Sequence, residues 1–239
     1  GRNATTHQQA LHRAGVLETS GAVDATAMLV DPHEADQDLN DRARSYLHTN
    51  CGVCHHRKGN AIVSFYLNRE LSFADLKTNK GTGIGTFGMQ NAKIITPGDP
   101  YRSVLMYRMS KLGYSRMPYI GSQAVDSQGV ALIAEWIRSL SDDRSPETSS
   151  PLVAGSTAAK ALSVLADDKD QTRRDAAVAT LAASTEGSLA LATRLHAGQL
   201  TDKDRSAAIT TASKANSNIR GLFDHFVPEA KRKKTLGRT

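Results

Sequence analysis

The chain has 239 residues and a mass of 25.7 kDa, with 39% hydrophobic and 23% charged residues and a mean hydropathy of −0.39. That length suits one or two domains, no stretch approaches the roughly 18 apolar residues of a membrane helix, and two cysteines exclude a disulfide scaffold. The net charge of +6 is uneven: residues 1–40 hold 2 basic and 6 acidic groups, 41–140 hold 13 and 6, and 141–239 hold 15 and 12.

Residues 1–37 are polar, mixed in charge and free of aromatics, and read as an N-terminal extension or linker. Gln8 to Leu17 has short-helix character, Asp31-Pro32 marks a break, and the front of the chain shows no secretory pattern. The sequence reads as a piece of something longer. From Leu39 the spacing turns helical: Leu39, Ala43, Tyr46 and Leu47 form one apolar stripe. That helix runs directly into Cys51-Gly52-Val53-Cys54-His55. Ala61 to Leu67 and Ala92 to Thr96 read as short strands around a Gly-rich loop, so a small β-like insertion is expected over 60–96. Pro97-Gly98-Asp99-Pro100 is a turn, Tyr101 to Leu112 is helical, and Gly113 ends that helix. A loop with Met117 and Pro118 follows, and Asp126 caps a last helix carrying Val130, Ile133, Trp136, Ile137 and Leu140. Ten of the twelve aromatics lie between Tyr46 and Trp136, marking residues 38–145 as the compact unit. Residues 146–239 are Ala-rich, with Thr201 to Asp204 resembling a capping box. They read as several short helices, either a tail or a connector to a further module. The fold class is thus mainly α.

The Cys51–His55 motif has the spacing of c-type haem attachment. Two thiols add to the haem vinyl groups as thioethers, the two-residue spacer lets both reach one porphyrin edge, and the next residue is placed to coordinate iron. A dithiol redox pair would need a βαβ context that the flanks lack. A zinc-binding interaction module would need more ligands than His55 and the neighbouring His56 provide.

With His55 on one side of the iron, the opposite position is open or filled by a second ligand. His56 adjoins the first ligand and cannot cross the ring; His48, on the leading helix, reads as an edge residue. Met89, Met106, Met109 and Met117 are the remaining candidates. Met106 and Met109 share a stripe with Leu105 and Leu112 and read as core. Met117 sits in a loop, its backbone restricted by Pro118, with enough chain before it to wrap a ring. Met117 is therefore the expected ligand and Met109 the next choice. Arg116 is placed to pair with a haem propionate. His–Met ligation fills both axial positions and favours electron transfer over substrate chemistry. An iron with an open sixth position would instead suit a catalytic or gas-sensing module.

Residues 39–140 resemble a class I cytochrome c domain in their leading helix, attachment motif, intermediate helix, Met-Pro loop and closing aromatic helix. More narrowly, Arg42 to Leu47, Pro97 to Pro100, Tyr107 to Ser110 and Arg116 to Pro118 are similar to haem domains of planctomycete and verrucomicrobial multidomain proteins. The resemblance implies a single haem c held by Cys51 and Cys54, with His55 and Met117 as iron ligands. It also implies that the first and last helices cross, bringing Tyr46 towards Trp136. It further implies an electron relay in an extracytoplasmic protein with a dehydrogenase or other redox module, this chain not itself being the enzyme. The basic middle third would then steer docking to an acidic redox partner.

Three further signals carry less. Gly83 to Gly88 matches G-x-G-x-x-G but lacks the strand before and helix after it that a dinucleotide site needs, so it reads as a loop. Lys231 to Lys234 reads as a solvated helix end and not as a nucleic-acid patch. Asp167 to Asp170 reads as an inter-helix turn and not a calcium loop.

Overall fold

The computed structural model describes residues 10–16, 28–141 and 156–232. Within the first stretch, residues 10–13 make one helical turn. Helix α1, Leu39–Leu47, begins where the Asp38 carboxylate accepts the Asn40 and Asp41 amides, satisfying N–H groups that have no intrahelical partner. Its stripe of Ala43, Tyr46 and Leu47 is buried as expected. The helix then widens into a π turn, His48–Gly52.

Beyond the motif the polypeptide winds without regular structure, and here the expectation of strands fails. Among the described residues there is no strand, only one isolated parallel bridge between Lys93 and Ser103. The reason is visible in the backbone bonds. Tyr66 N–H donates to Leu76, Leu67 N–H to His55, Ile94 N–H to Lys80 and Ile95 N–H to Thr78, so neighbouring residues pair with separate segments and no ladder forms. The Arg44 guanidinium takes three more carbonyls, those of Asn68, Arg69 and Leu71. Gly83 to Gly88 is a loop, with positive φ at Gly85, Phe87 and Gly88.

The expected helix from Tyr101 to Leu112 is shorter and divided. A 3-10 turn, Pro100–Arg102, is capped by Asp99, whose carboxylate also pairs with Arg102 at 2.8 Å in the interior. Ser103 is extended, and α2 spans only Val104–Met109. Gly113, with φ +73°, lies in the loop beyond it.

Helix α3, Ser127–Ser139, is capped by Asp126 and packs antiparallel to α1. Asn40 at the start of α1 accepts the Trp136 indole N–H near the end of α3 at 3.0 Å. At the other end, the Tyr46 ring covers Gly129. Tyr46 therefore meets α3 at Gly129, two turns or about 10 Å before Trp136. Trp136 packs instead edge-on against Phe73, with ring centroids 6.3 Å apart.

The Ala-rich region forms α4 (Thr157–Asp167), α5 (Gln171–Leu181), α6 (Thr185–His196), α7 (Asp202–Ser213) and α8 (Ser217–Gly221). Each has a side-chain N-cap: Ser156, Asp170, Ser184, Thr201 and Asn216. The Thr201–Asp204 capping box is present, and Asp167 to Asp170 makes the turn between α4 and α5. Helix α4 pairs with α5, and α5 packs on α6 and α7. Helix α6 is buried from Thr185 to Thr193 and lies against α3 and the Pro100–Arg102 turn. Its apolar residues join the same hydrophobic cluster as those of α1 to α3. Of the Lys231 to Lys234 run, Lys233 and Lys234 lie outside the described residues.

Candidate functional site

The motif occupies a π turn and the bend after it. A π turn puts one extra residue into the helical circuit and is found mostly where function demands it. Here it carries Cys51, which is 8% exposed, while Cys54 stands in solvent. The two are not cross-linked. Burial, helped by the nearby Cys54, pushes the Cys51 thiol up to about 12, so it remains protonated at neutral pH. The loop then folds back tightly: a Cβ at Gly59 would lie 2.3 Å from the Cys54 carbonyl oxygen.

His55 is 8% exposed and its ring stacks on Phe65, centroids 4.1 Å apart and 20° from parallel. Its carbonyl accepts the Leu67 amide at 2.8 Å, which ties the motif to the segment behind the ring. Burial lowers the imidazole pKa, the Arg108 charge lowers it further, and the adjacent Phe65 backbone opposes both. No hydrogen bond of good geometry reaches Nδ1, which is buried. The ring is thus neutral at pH 7, the form that ligates metals. His56 contacts the Gly52 carbonyl through Nδ1 at 3.0 Å. His48 accepts the Arg69 amide and lies 3.9 Å from Glu70, an edge position as expected.

Met117 is half-buried, whereas Met89, Met106 and Met109 are enclosed in the core. Its amide donates to the Arg108 carbonyl at 2.9 Å, and its bond to Pro118 is cis. Around it the loop is held at several points. Arg108 Nε donates to the Ser115 carbonyl at 2.8 Å, and Lys111 Nζ to the Tyr114 carbonyl at 2.7 Å. The Ser122 hydroxyl donates to the Pro118 carbonyl at 2.6 Å. Arg116 Nε donates to Ser122, and its guanidinium lies over the Tyr119 ring. Arg116 therefore fastens the loop that carries Met117.

Arg108 links the two halves of the site, since its charge acts on His55 while its backbone holds Met117. Arg108 falls in the Tyr107 to Ser110 stretch that carries the resemblance, but neither it nor Lys111 is singled out by the sequence for this role. Val53, Ile62, Ile84, Tyr114, Tyr119 and Ile120 are large apolar side chains left exposed in the segments before and after this pair. In kind, the donor set fits haem c: one buried and one exposed thiol, a neutral imidazole, and a thioether held in a braced loop. Among the described residues no three His, Cys, Asp or Glu side chains gather as a metal site.

A second histidine cluster had no signal in the sequence, its members being 29 positions apart. His196 and His225 stack 4.7 Å apart and nearly parallel, where the tail meets Ser127 of α3.

No family model, curated protein or solved structure matches the chain.

Proposed function

We propose that the chain is a single-haem c-type cytochrome module that relays electrons within a larger extracytoplasmic redox protein. The observation that carries this reading is Cys51 at the end of a π turn with Cys54 in the bend after it, followed at once by a buried neutral histidine. When bound, haem c supplies a one-electron ferric/ferrous couple. The chain's own residues do the rest. Cys51 and Cys54 would hold the group, one from within the fold and one from its surface. His55 offers a ring nitrogen as ligand, and the Phe65 stack keeps the ring from rotating. Met117 offers its thioether from a loop whose backbone is tied to Arg108. With His55 and Met117 both holding it, the iron would supply electron exchange and little substrate chemistry. Arg108, half-buried, and Lys111, buried, place cationic side chains near the site, although burial lowers both pKa values; positive charge there would favour the reduced state of a redox centre. Surface cations of the middle third would steer an acidic partner or adjacent redox domain, an effect that weakens with salt. Among the described residues no helix is long and apolar enough to cross a membrane.

The test is a pyridine haemochrome spectrum on protein made with the c-type maturation machinery. Colour that survives acid–acetone extraction, and is lost in the Cys51→Ala/Cys54→Ala variant, is the expected result. A colourless product whose thiols still alkylate overturns the proposal. Met117→Ala should abolish the weak far-red band of thioether-bound ferric haem and lower the potential. A wild-type protein without that band has an open sixth position and belongs with catalytic or sensing haem proteins.

A further inference from the structure

The tail reaches α2, the helix that supports the Met117 loop, from two directions. At the N-terminus of α6 the Thr185 hydroxyl donates to the Phe87 carbonyl at 2.8 Å, and the Glu186 carboxylate accepts the Gln90 amide at 2.8 Å. Glu186 is only 4% exposed, a costly place for a carboxylate without such a bond. Its position in the first turn of a 12-residue helix also offsets that cost through the helix dipole. These bonds hold a segment that has little preference of its own for its shape. Phe87 has φ +57° between two glycines that are also at positive φ, and a Cβ on Gly88 would press on Thr185 at 3.3 Å.

Once held, the Phe87 ring stacks on Tyr107 at 4.4 Å and lies under the Arg108 guanidinium. Arg108 in turn grips the loop twice, through its carbonyl to the Met117 amide and through Nε to Ser115. From the other side, the Asn218 carbonyl of α8 accepts the Tyr107 hydroxyl at 3.0 Å. Gly221 lies against Lys111, whose ammonium holds Tyr114 and Ser115. Helix α2 is thus fixed between the tail and the loop it supports.

We infer that α6 and α8 form a clamp that sets the Met117 loop, with Thr185 and Glu186 as positioning residues for that methionine. The inference rests on the reading of Met117 as an iron ligand. It makes the Ala-rich region part of the redox unit and not a spacer. A clamp at this place ties the strength of the sixth ligand, and hence the potential, to whatever binds or moves the tail.

The test uses the full matured chain with Thr185→Val/Glu186→Ala, and Thr185→Ser/Glu186→Gln as the conservative pair. Hydrogen exchange is followed in residues 113–118 and in α1, alongside the far-red band. In the first variant, exchange at 113–118 should quicken roughly three- to tenfold, the effect of losing one or two buried hydrogen bonds, with α1 unchanged. The band should weaken, and the conservative pair should restore both. Exchange and band equal to wild type overturn the clamp, as does acceleration spread equally over 113–118 and α1. A wild type that lacks the band but shows the exchange effect removes Met117 from the iron and leaves the clamp as a loop brace. Lack of covalent haem refutes the cytochrome reading on its own.

Discussion

At Gly129 the absence of a side chain lets two helices close. A Cβ there would lie 2.3 Å from the Tyr46 Cζ and hydroxyl oxygen, and that ring is held, its phenol facing the Asp126 carboxylate. Gly129→Ala should therefore cost about 1–3 kcal/mol through overpacking, although alanine favours helices by about 1 kcal/mol over glycine. A thermal midpoint unchanged by the substitution would mean that the Tyr46 ring moves aside freely. The stripe that placed Tyr46 on the buried face of α1 was legible in its spacing, but the partner across the interface was not. Periodicity says which side of a helix is inside and nothing about axial offset. Arg44 was hidden for a related reason. A cation between apolar positions reads as solvated, yet this one is buried where the carbonyls of Asn68, Arg69 and Leu71 all accept from one of its amino groups.

At the scale of elements, caps and turns were the readable part. Asp126 and the Thr201–Asp204 box sit where local chemistry placed them, since a cap depends on residues within one turn of it. Ala61 to Leu67 and Ala92 to Thr96 failed as strands because a strand depends on a neighbour of matching length. Here each backbone group finds a different partner. The tail helices depend on one polar contact that local rules also miss. Arg174 of α5 donates from Nε to Asp204 of α7 at 3.0 Å and from its second amino group to the other oxygen. Burial alone would raise the Asp204 pKa, but Arg174 and Thr201 together hold it down at about 2. Asp204→Ala removes the pair and half of the capping box and strands the arginine. A loss of about 3 kcal/mol is expected in urea unfolding followed by far-UV circular dichroism. If instead the midpoint stays within experimental scatter, the pair contributes nothing net, and packing of α5 on α4 suffices.

Across the whole molecule, stability should depend on pH through the stacked histidines. His196 sits between the Ser127 hydroxyl, the Ser110 backbone and His225, with Asp126 also acting on it. Burial lowers its pKa to about 4, opposed by the Ser110 backbone and by Asp126. His225 falls to about 3 through burial, then through the charges of His196, Arg232 and Arg205. Both values lie below the ordinary 6.5, so between pH 6.5 and about 4 the unfolded chain binds protons that the folded one refuses. Stability is then full above pH 6.5 and declines as pH falls, by up to about 1.4 kcal/mol per unit for each ring. The rings join α6 and the Asp224–Phe226 turn to α3, so the tail should loosen first. His225→Phe keeps an aromatic ring against Phe226 and removes one titrating group. Urea unfolding between pH 7.5 and 4.5 should show a shallower slope in that variant than in wild type. Parallel slopes would assign the acid sensitivity to carboxylates elsewhere, and the histidine stack would then be a packing feature alone.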